Sequence, residues 1–155
     1  MTSALTALRV IDYKTGASRS YQALTPEEPH QAGTRLQLAL YGAVVGDLLG
    51  SMAVDAGYWF ITGKGNFDWV GYPLTPGVQS RVGGAVTTIV DGIRHGVFPA
   101  RPPADPSFAW VDCWYCSPDG INTAEARRTW ERKQLDPSLA PYVRLCEPGV
   151  LDDDT

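Results

Sequence analysis

Apolar and polar positions alternate through "LRVIDYK" at Leu8–Lys14, and a period of two marks a half-buried strand. Val10 and Ile11 favour a pleated surface and Gly16 supplies a break, so residues 7–14 are read as a strand running into a turn. Successive strand side chains point to opposite faces, which puts Leu8, Val10, Asp12 and Lys14 on one face and Arg9, Ile11 and Tyr13 on the other. Asp12 and Lys14 therefore stand side by side.

Further along, the pattern changes period several times. "ASRSYQALTPEEPHQAGT" is polar with two prolines and predicts a long loop, and loops of this length in a compact domain are usually functional or disordered. From Leu36 to about Met52, "LQLALYGAVVGDLLGSM" is apolar at helical spacing. It has Gln37, Tyr41, Val44 and Leu48 on one line and Leu36, Leu40 and Ala43 on another. "GYWFIT" and "FDWVGYPL", separated by "GKGN", predict a hairpin of aromatic-rich strands. In "GVQSRVGGAVTTIVDGIRHG" the residues Val78, Val82, Ala85, Val86, Ile89, Val90 and Ile93 keep the period of an amphipathic helix, although Gly83 and Gly84 lower its propensity. "VFPARPPADPS" ends it. The remainder holds "DCWYC", a charged segment of helical composition, "TAEARRTWERKQ", and the acidic end "LDDDT", read as a solvated tail.

Composition narrows the function classes. With 155 residues, 44% hydrophobic and 19% charged, the chain has the make-up of one soluble domain with a modest core. Sixteen glycines and twelve prolines predict long loops. A net charge of −4 argues against nucleic-acid binding by a broad basic surface, so any contact with DNA must be local. The sequence has no apolar run of about 18 residues and no signal-peptide pattern at "MTSALTALRV", which predicts a cytoplasmic protein without membrane contact. Three cysteines do not make a disulfide framework. His30, in a loop, and His95, near a helix end, have no acid or nucleophile at a recognisable spacing, and no phosphate-binding glycine loop is present.

Taken alone, Asp12 and Lys14 fit two descriptions. One is a surface ion pair contributing about 0–1 kcal/mol. The other is a carboxylate for a hard cation with a cationic head beside it, which is the equipment for phosphodiester hydrolysis. Gln37 and Tyr41, one helical turn apart, share a face. Taken alone they fit an ordinary core aromatic and a capping or surface amide.

Several blocks taken together resemble the second half of a RecB-type nuclease domain of the PD-(D/E)XK superfamily, the kind found in RecB-like and AddB-like helicase–nucleases. "VIDYKTG" is similar to that family's third motif and "GTRLQLALYG" to its fourth, while "GYWFITGKGNFDWVGYPL", "GIRHGVFPARP", "DCWYC" and "RRTWERKQLDPSLAPY" are similar to its C-terminal portion. The resemblance runs from about Leu8 to Tyr142. It implies an α/β, restriction-endonuclease-like core, a mixed sheet flanked by helices with its N-terminal part missing. This core would span residues 1–110, followed by an irregular C-terminal extension over 111–155. It also implies that Asp12 and the carbonyl of Tyr13 ligate Mg²⁺ or Mn²⁺, that Lys14 orients and helps deprotonate the attacking water, and that Gln37 and Tyr41 hold the metal site and the DNA backbone.

The sequence departs from the family pattern in two places. The nine residues upstream of Val10, "MTSALTALR", contain no acid, so the partner strand with its second carboxylate has no counterpart in this sequence. Cys113 and Cys116 match two positions of a cluster motif whose third position holds Asn122, and the distant upstream Cys is missing, so an iron–sulfur cluster is not expected. The expected activity is a metal-dependent DNA nuclease of recombination and repair, impaired as an isolated chain. Its partners would be DNA and a helicase subunit or a chain carrying the missing half. The competing expectation is a non-catalytic DNA-binding or protein-interaction module.

Overall fold

β1 (Leu8–Lys14) is the strand that its alternation predicts. The computed structural model describes residues 7–50, 53–102 and 123–151. β1 pairs in parallel with β2 (Val54–Phe60), from Leu8 opposite Val54 to Lys14 opposite Phe60. β2 pairs antiparallel with β3 (Trp69–Pro73), with Asp55 opposite Pro73 and Trp59 opposite Trp69. The result is a mixed three-stranded sheet in the order β1-β2-β3. Parallel neighbours need a crossover, and the connection between β1 and β2 carries helix α1 (Gln37–Leu49). Helix α2 (Pro76–Arg94) follows β3. This is the expected α/β, restriction-endonuclease-like arrangement, and by chain contacts it divides into two units, Met1–Thr87 and Thr88–Thr155.

In the first unit the core lies on one sheet face, where Ala56, Tyr58, Phe60, Val70 and Tyr72 pack with Leu38, Ala39, Leu74, Val78 and Val82. Asp12 and Lys14 project on this same side, beyond Leu8 and Val10. α1 approaches the sheet through small residues. Its buried positions are Leu38, Ala39, Gly42 and Gly46, and a Cβ on Gly42 would lie 2.9 Å from both methyls of Leu74 and 3.3 Å from Ala56. The line Gln37, Tyr41, Val44 and Leu48 is consequently exposed. The helix ends at Leu49, short of Met52, because Gly50 adopts the left-handed conformation (φ 63°) that closes helices.

Two hydrogen bonds fix how β1 addresses its neighbour: Leu8 N–H donates to the Ala53 carbonyl at 2.8 Å, and the Lys14 carbonyl accepts from Ile61 N–H at 2.9 Å. In a parallel pair alternate residues bond to a given neighbour. Arg9, Ile11 and Tyr13 therefore turn their backbone groups toward the other edge of β1, which is open among the described residues. On the sheet face away from the core, the Trp69 indole lies flat over Gly57, where a Cβ would come within 2.1 Å of the ring. Arg9 stacks over that indole at 5.3 Å and pairs with Asp55 at 3.1 Å.

The long loop after β1 is tied down along its length. Ser18 Oγ donates to Asp68 Oδ2 at 2.6 Å, Thr62 Oγ1 donates to the Thr15 carbonyl at 2.9 Å, and the Tyr72 hydroxyl donates to the Pro29 carbonyl at 2.7 Å. Leu24 and Pro29 are buried beneath it.

In the second unit, α3 (Thr123–Lys133) is the helix that its composition predicts, and α4 (Ala140–Cys146) follows a short 3₁₀ turn over Pro137–Leu139. The unit is organised around Glu147, whose carboxylate accepts from Arg101 Nε at 2.8 Å, Arg127 Nη1 at 3.2 Å and Trp130 Nε1 at 3.3 Å. His95 donates through Nδ1 to the Asp91 carbonyl one turn back, at 2.8 Å, so it serves as a helix-end residue. Cys146 is a half-buried free thiol, whereas Cys113, Cys116 and Asn122 lie outside the described residues. No described helix is long and apolar enough to cross a membrane.

Candidate functional site

At the C-terminal end of β1 the two charges predicted to be neighbours are in contact: Lys14 Nζ lies 3.1 Å from Asp12 Oδ2, and their side chains are 26% and 18% exposed. A freely solvated surface pair would show far more of itself. The strand register places Tyr58 directly opposite Asp12, and the Lys14 ammonium lies 4.9 Å from the centroid of the Tyr58 ring. Tyr58 is 2% exposed. Its ring meets Tyr21 edge-on at 4.9 Å, and Tyr21 also meets Phe60 at 5.2 Å. The Arg35 guanidinium stacks over Tyr21 at 4.0 Å. Asp12, Lys14, Tyr58, Tyr21 and Arg35 thus form one continuous series of contacts.

The phenol of Tyr58 reports the local electrostatics. Burial pushes its pKa up, the Asp12 carboxylate pushes it further, Tyr21 and Tyr41 add to the rise, and the Arg35 charge opposes it. Tyr41 comes from α1, where Gln37 Nε2 donates to its hydroxyl oxygen at 3.1 Å. Tyr41 is 50% exposed, so the core-aromatic description of it does not hold. The predicted residues fall into two bonded pairs, Asp12 with Lys14 and Gln37 with Tyr41.

Sequence reasoning missed Tyr58, Tyr21 and Arg35. Parity alone would have placed Tyr58 among the inward residues of β2 with Val54, Ala56 and Phe60, and the register then sets it opposite Asp12. Arg35 stands two residues before Gln37, but its partner Tyr21 is in a loop whose path no periodicity encodes.

A hard divalent cation takes oxygen ligands and, for Mg²⁺, keeps several waters. The Asp12 carboxylate and the Tyr13 carbonyl, which faces the open edge of β1, are oxygen donors of that type. The described residues contain no cluster of three or more His, Cys, Asp or Glu suited to a metal. The donor set fits a hydrated hard cation held by few protein ligands.

A family model for the PD-(D/E)XK nuclease superfamily matches residues 3–121. No curated protein and no solved structure matches the chain significantly.

Proposed function

The chain belongs to the PD-(D/E)XK nuclease superfamily, and from that membership we propose that it is a metal-dependent DNA nuclease of RecB-like type, acting in recombination and repair in the cytoplasm. The observation that carries this reading is the partly buried Asp12–Lys14 contact at the end of β1. Withdrawing two charges from water costs free energy that their mutual contact offsets only in part, so the pair is kept at a cost to stability. Asp12, with the Tyr13 carbonyl, would hold Mg²⁺ or Mn²⁺. The cation's contribution is to make a bound water acidic enough to yield hydroxide near neutral pH. Lys14 uses one N–H on Asp12 and keeps two others to orient the attacking water and to oppose the negative charge that grows on the phosphate. Gln37 and Tyr41, exposed on α1, donate hydrogen bonds to the DNA backbone. With a net charge of −4, the chain must grip DNA by such local contacts. A helicase subunit, or a chain that supplies further carboxylates, would complete the assembly.

One observation favours a second reading, a non-catalytic DNA-binding or protein-interaction module. Among the described residues Asp12 belongs to no cluster of three or more His, Cys, Asp or Glu, and a lone carboxylate binds Mg²⁺ weakly. In addition, the exposed face of α1 presents Tyr41, Val44 and Leu48. The deciding experiment is cleavage of linear single- and double-stranded DNA with Mg²⁺ or Mn²⁺, with and without EDTA, by the native chain, Asp12→Ala and Lys14→Ala. Metal-dependent cutting lost in both variants supports the nuclease. Cutting that survives Asp12→Ala removes the site assignment.

A further inference from the structure

We propose that Arg35 is a phosphate-receiving residue of this site, its guanidinium held ready for two oxygens of a DNA backbone phosphate. The inference rests on the nuclease reading and adds a residue that neither the alternation of β1 nor the periodicity of α1 singles out.

Two contacts fix the orientation of the guanidinium. Its central carbon lies over the Tyr21 ring, 4.0 Å from the centroid, and its Nε donates to Gln31 Oε1 at 3.3 Å. Gln31 is itself held, because its Nε2 donates to the Ser20 carbonyl at 3.4 Å and its carbonyl accepts from Thr34 Oγ1 at 2.7 Å. The backbone at this turn takes an uncommon form. Gln31 (φ 42°), Ala32 (φ 55°) and Gly33 (φ 81°) are three consecutive left-handed residues, a conformation that L residues adopt at a cost and that persists where surroundings hold it. Here His30 Nδ1 accepts from Gly33 N–H at 3.2 Å, and the His30 carbonyl accepts from Arg35 N–H at 3.0 Å. The turn before Arg35 is thus held by hydrogen bonds at both His30 and Gln31.

The rest of that arginine is uncommitted. A guanidinium has five N–H donors, and among the described residues Arg35 uses one of them, on a neutral amide, and pairs with no carboxylate. The contrast with Arg127, which is paired to both Glu131 and Glu147, is direct. A planar fork with its terminal nitrogens open and its plane locked suits bidentate binding of phosphate. It lies close to the Asp12–Lys14 pair, since Tyr21, on which Arg35 rests, abuts Tyr58, on which Lys14 rests. Two cations thereby flank a pair of packed rings beside Asp12. A phosphodiester strand carries repeated charges that two separated cations can hold at successive positions.

The test uses the full chain and a fluorescently labelled oligonucleotide in EDTA, so that binding is read without cleavage, across a salt series. Arg35→Gln should weaken binding about tenfold, as loss of a charge-assisted hydrogen bond does. It should also reduce the slope of log affinity against log salt by about 0.7–0.9, the signature of one lost phosphate contact. Arg35→Lys should keep the salt slope, because the charge stays, and lose several-fold in affinity, because the fork is gone. A wild-type-like far-UV spectrum checks folding of both variants. If the native chain binds and folded Arg35→Gln matches it in affinity and slope, the assignment of Arg35 is overturned while the nuclease reading stands. If Arg35→Gln does not fold, Arg35→Lys decides, and wild-type affinity in it overturns the assignment. If the native chain binds no oligonucleotide, both readings fall.

Discussion

Lys14 makes two contacts at once, holding the Asp12 carboxylate at 3.1 Å while its ammonium rests 4.9 Å from the ring centroid of Tyr58. The second contact limits where the side chain can go. Tyr58→Phe keeps the ring and should be close to neutral. Tyr58→Leu loses the cation–π contact and the edge-on contact with Tyr21 and should cost about 2 kcal/mol. Pairing Tyr58→Leu with Lys14→Met in a double-mutant cycle by urea denaturation should give a coupling of about 0.5–1 kcal/mol. Zero coupling would show that the ring does not hold the lysine.

If the proposed site holds its cation by Asp12 as the one carboxylate among the described residues, binding is loose and the native chain should cut DNA weakly. Fusing it to the upstream half of a related nuclease, which brings a second acidic strand, should raise Mg²⁺-dependent cleavage. Within that fusion Lys14→Ala should reduce the rate by about 10²–10³-fold, the usual loss for a group stabilising transition-state charge, and Asp12→Ala should abolish cleavage. A fusion that folds and stays inert would favour the interaction-module reading.

Gly57 and Gly71 face each other across β2 and β3, yet substitution should affect them unequally. A Cβ on Gly57 meets the Trp69 ring at 2.1 Å, and one on Gly71 meets the Ala56 carbonyl oxygen at 2.3 Å. The indole is 40% exposed and can swing outward; the backbone cannot. Gly57→Ala should cost about 1–3 kcal/mol, partly recovered when Trp69→Ala is added, whereas Gly71→Ala should cost more with no such recovery. Denaturation midpoints at constant m-value measure both.

Glu147 should make stability depend on acid. Burial pushes its pKa up, but hydrogen bonds from Arg101, Trp130 and Arg127 outweigh that and hold it below the ordinary value. A depressed carboxyl contributes its full stabilisation above the unfolded-state pKa, about 4.3 for Glu, and loses it as pH falls through the lower folded value. Glu147→Gln should flatten the acid limb of the stability profile and cost about 2 kcal/mol at neutral pH, since two arginines lose their counter-charge. An unchanged acid limb would argue against the cluster.

Burial also pushes the Cys146 thiol up, with Glu147 adding to the rise and Arg101 opposing it. A protonated, half-buried thiol reacts slowly, so disulfide reagents should label it slowly in the native chain and rapidly in urea. Iron analysis of the same preparation should give no stoichiometric metal. Visible absorption with matching iron and sulfide would overturn the expectation drawn from Asn122.

β1 could be read from its alternation down to the shared face of Asp12 and Lys14, because a period of two leaves few choices and the core fills one side. α1 could be located but not oriented. Counting large apolar residues favours the line through Tyr41, Val44 and Leu48, yet the sheet receives Gly42 and Gly46, whose value is the absence of a side chain. Tyr21 and Arg35 could not be foreseen at all. Their stack joins a loop to a helix entry, and it depends on left-handed backbone at Gln31 and Ala32 that neither residue type advertises.

The edge of β1, open among the described residues, imposes a choice at its far end. A strand laid along the whole edge would offer an N–H to the Tyr13 carbonyl, the same oxygen proposed above as a cation ligand. Sheet extension and cation binding therefore compete for one atom. A strand that joins β1 and leaves that oxygen to the cation has to part from the edge before Tyr13, and the fork between two diverging strands would then be the cleft into which a phosphodiester fits.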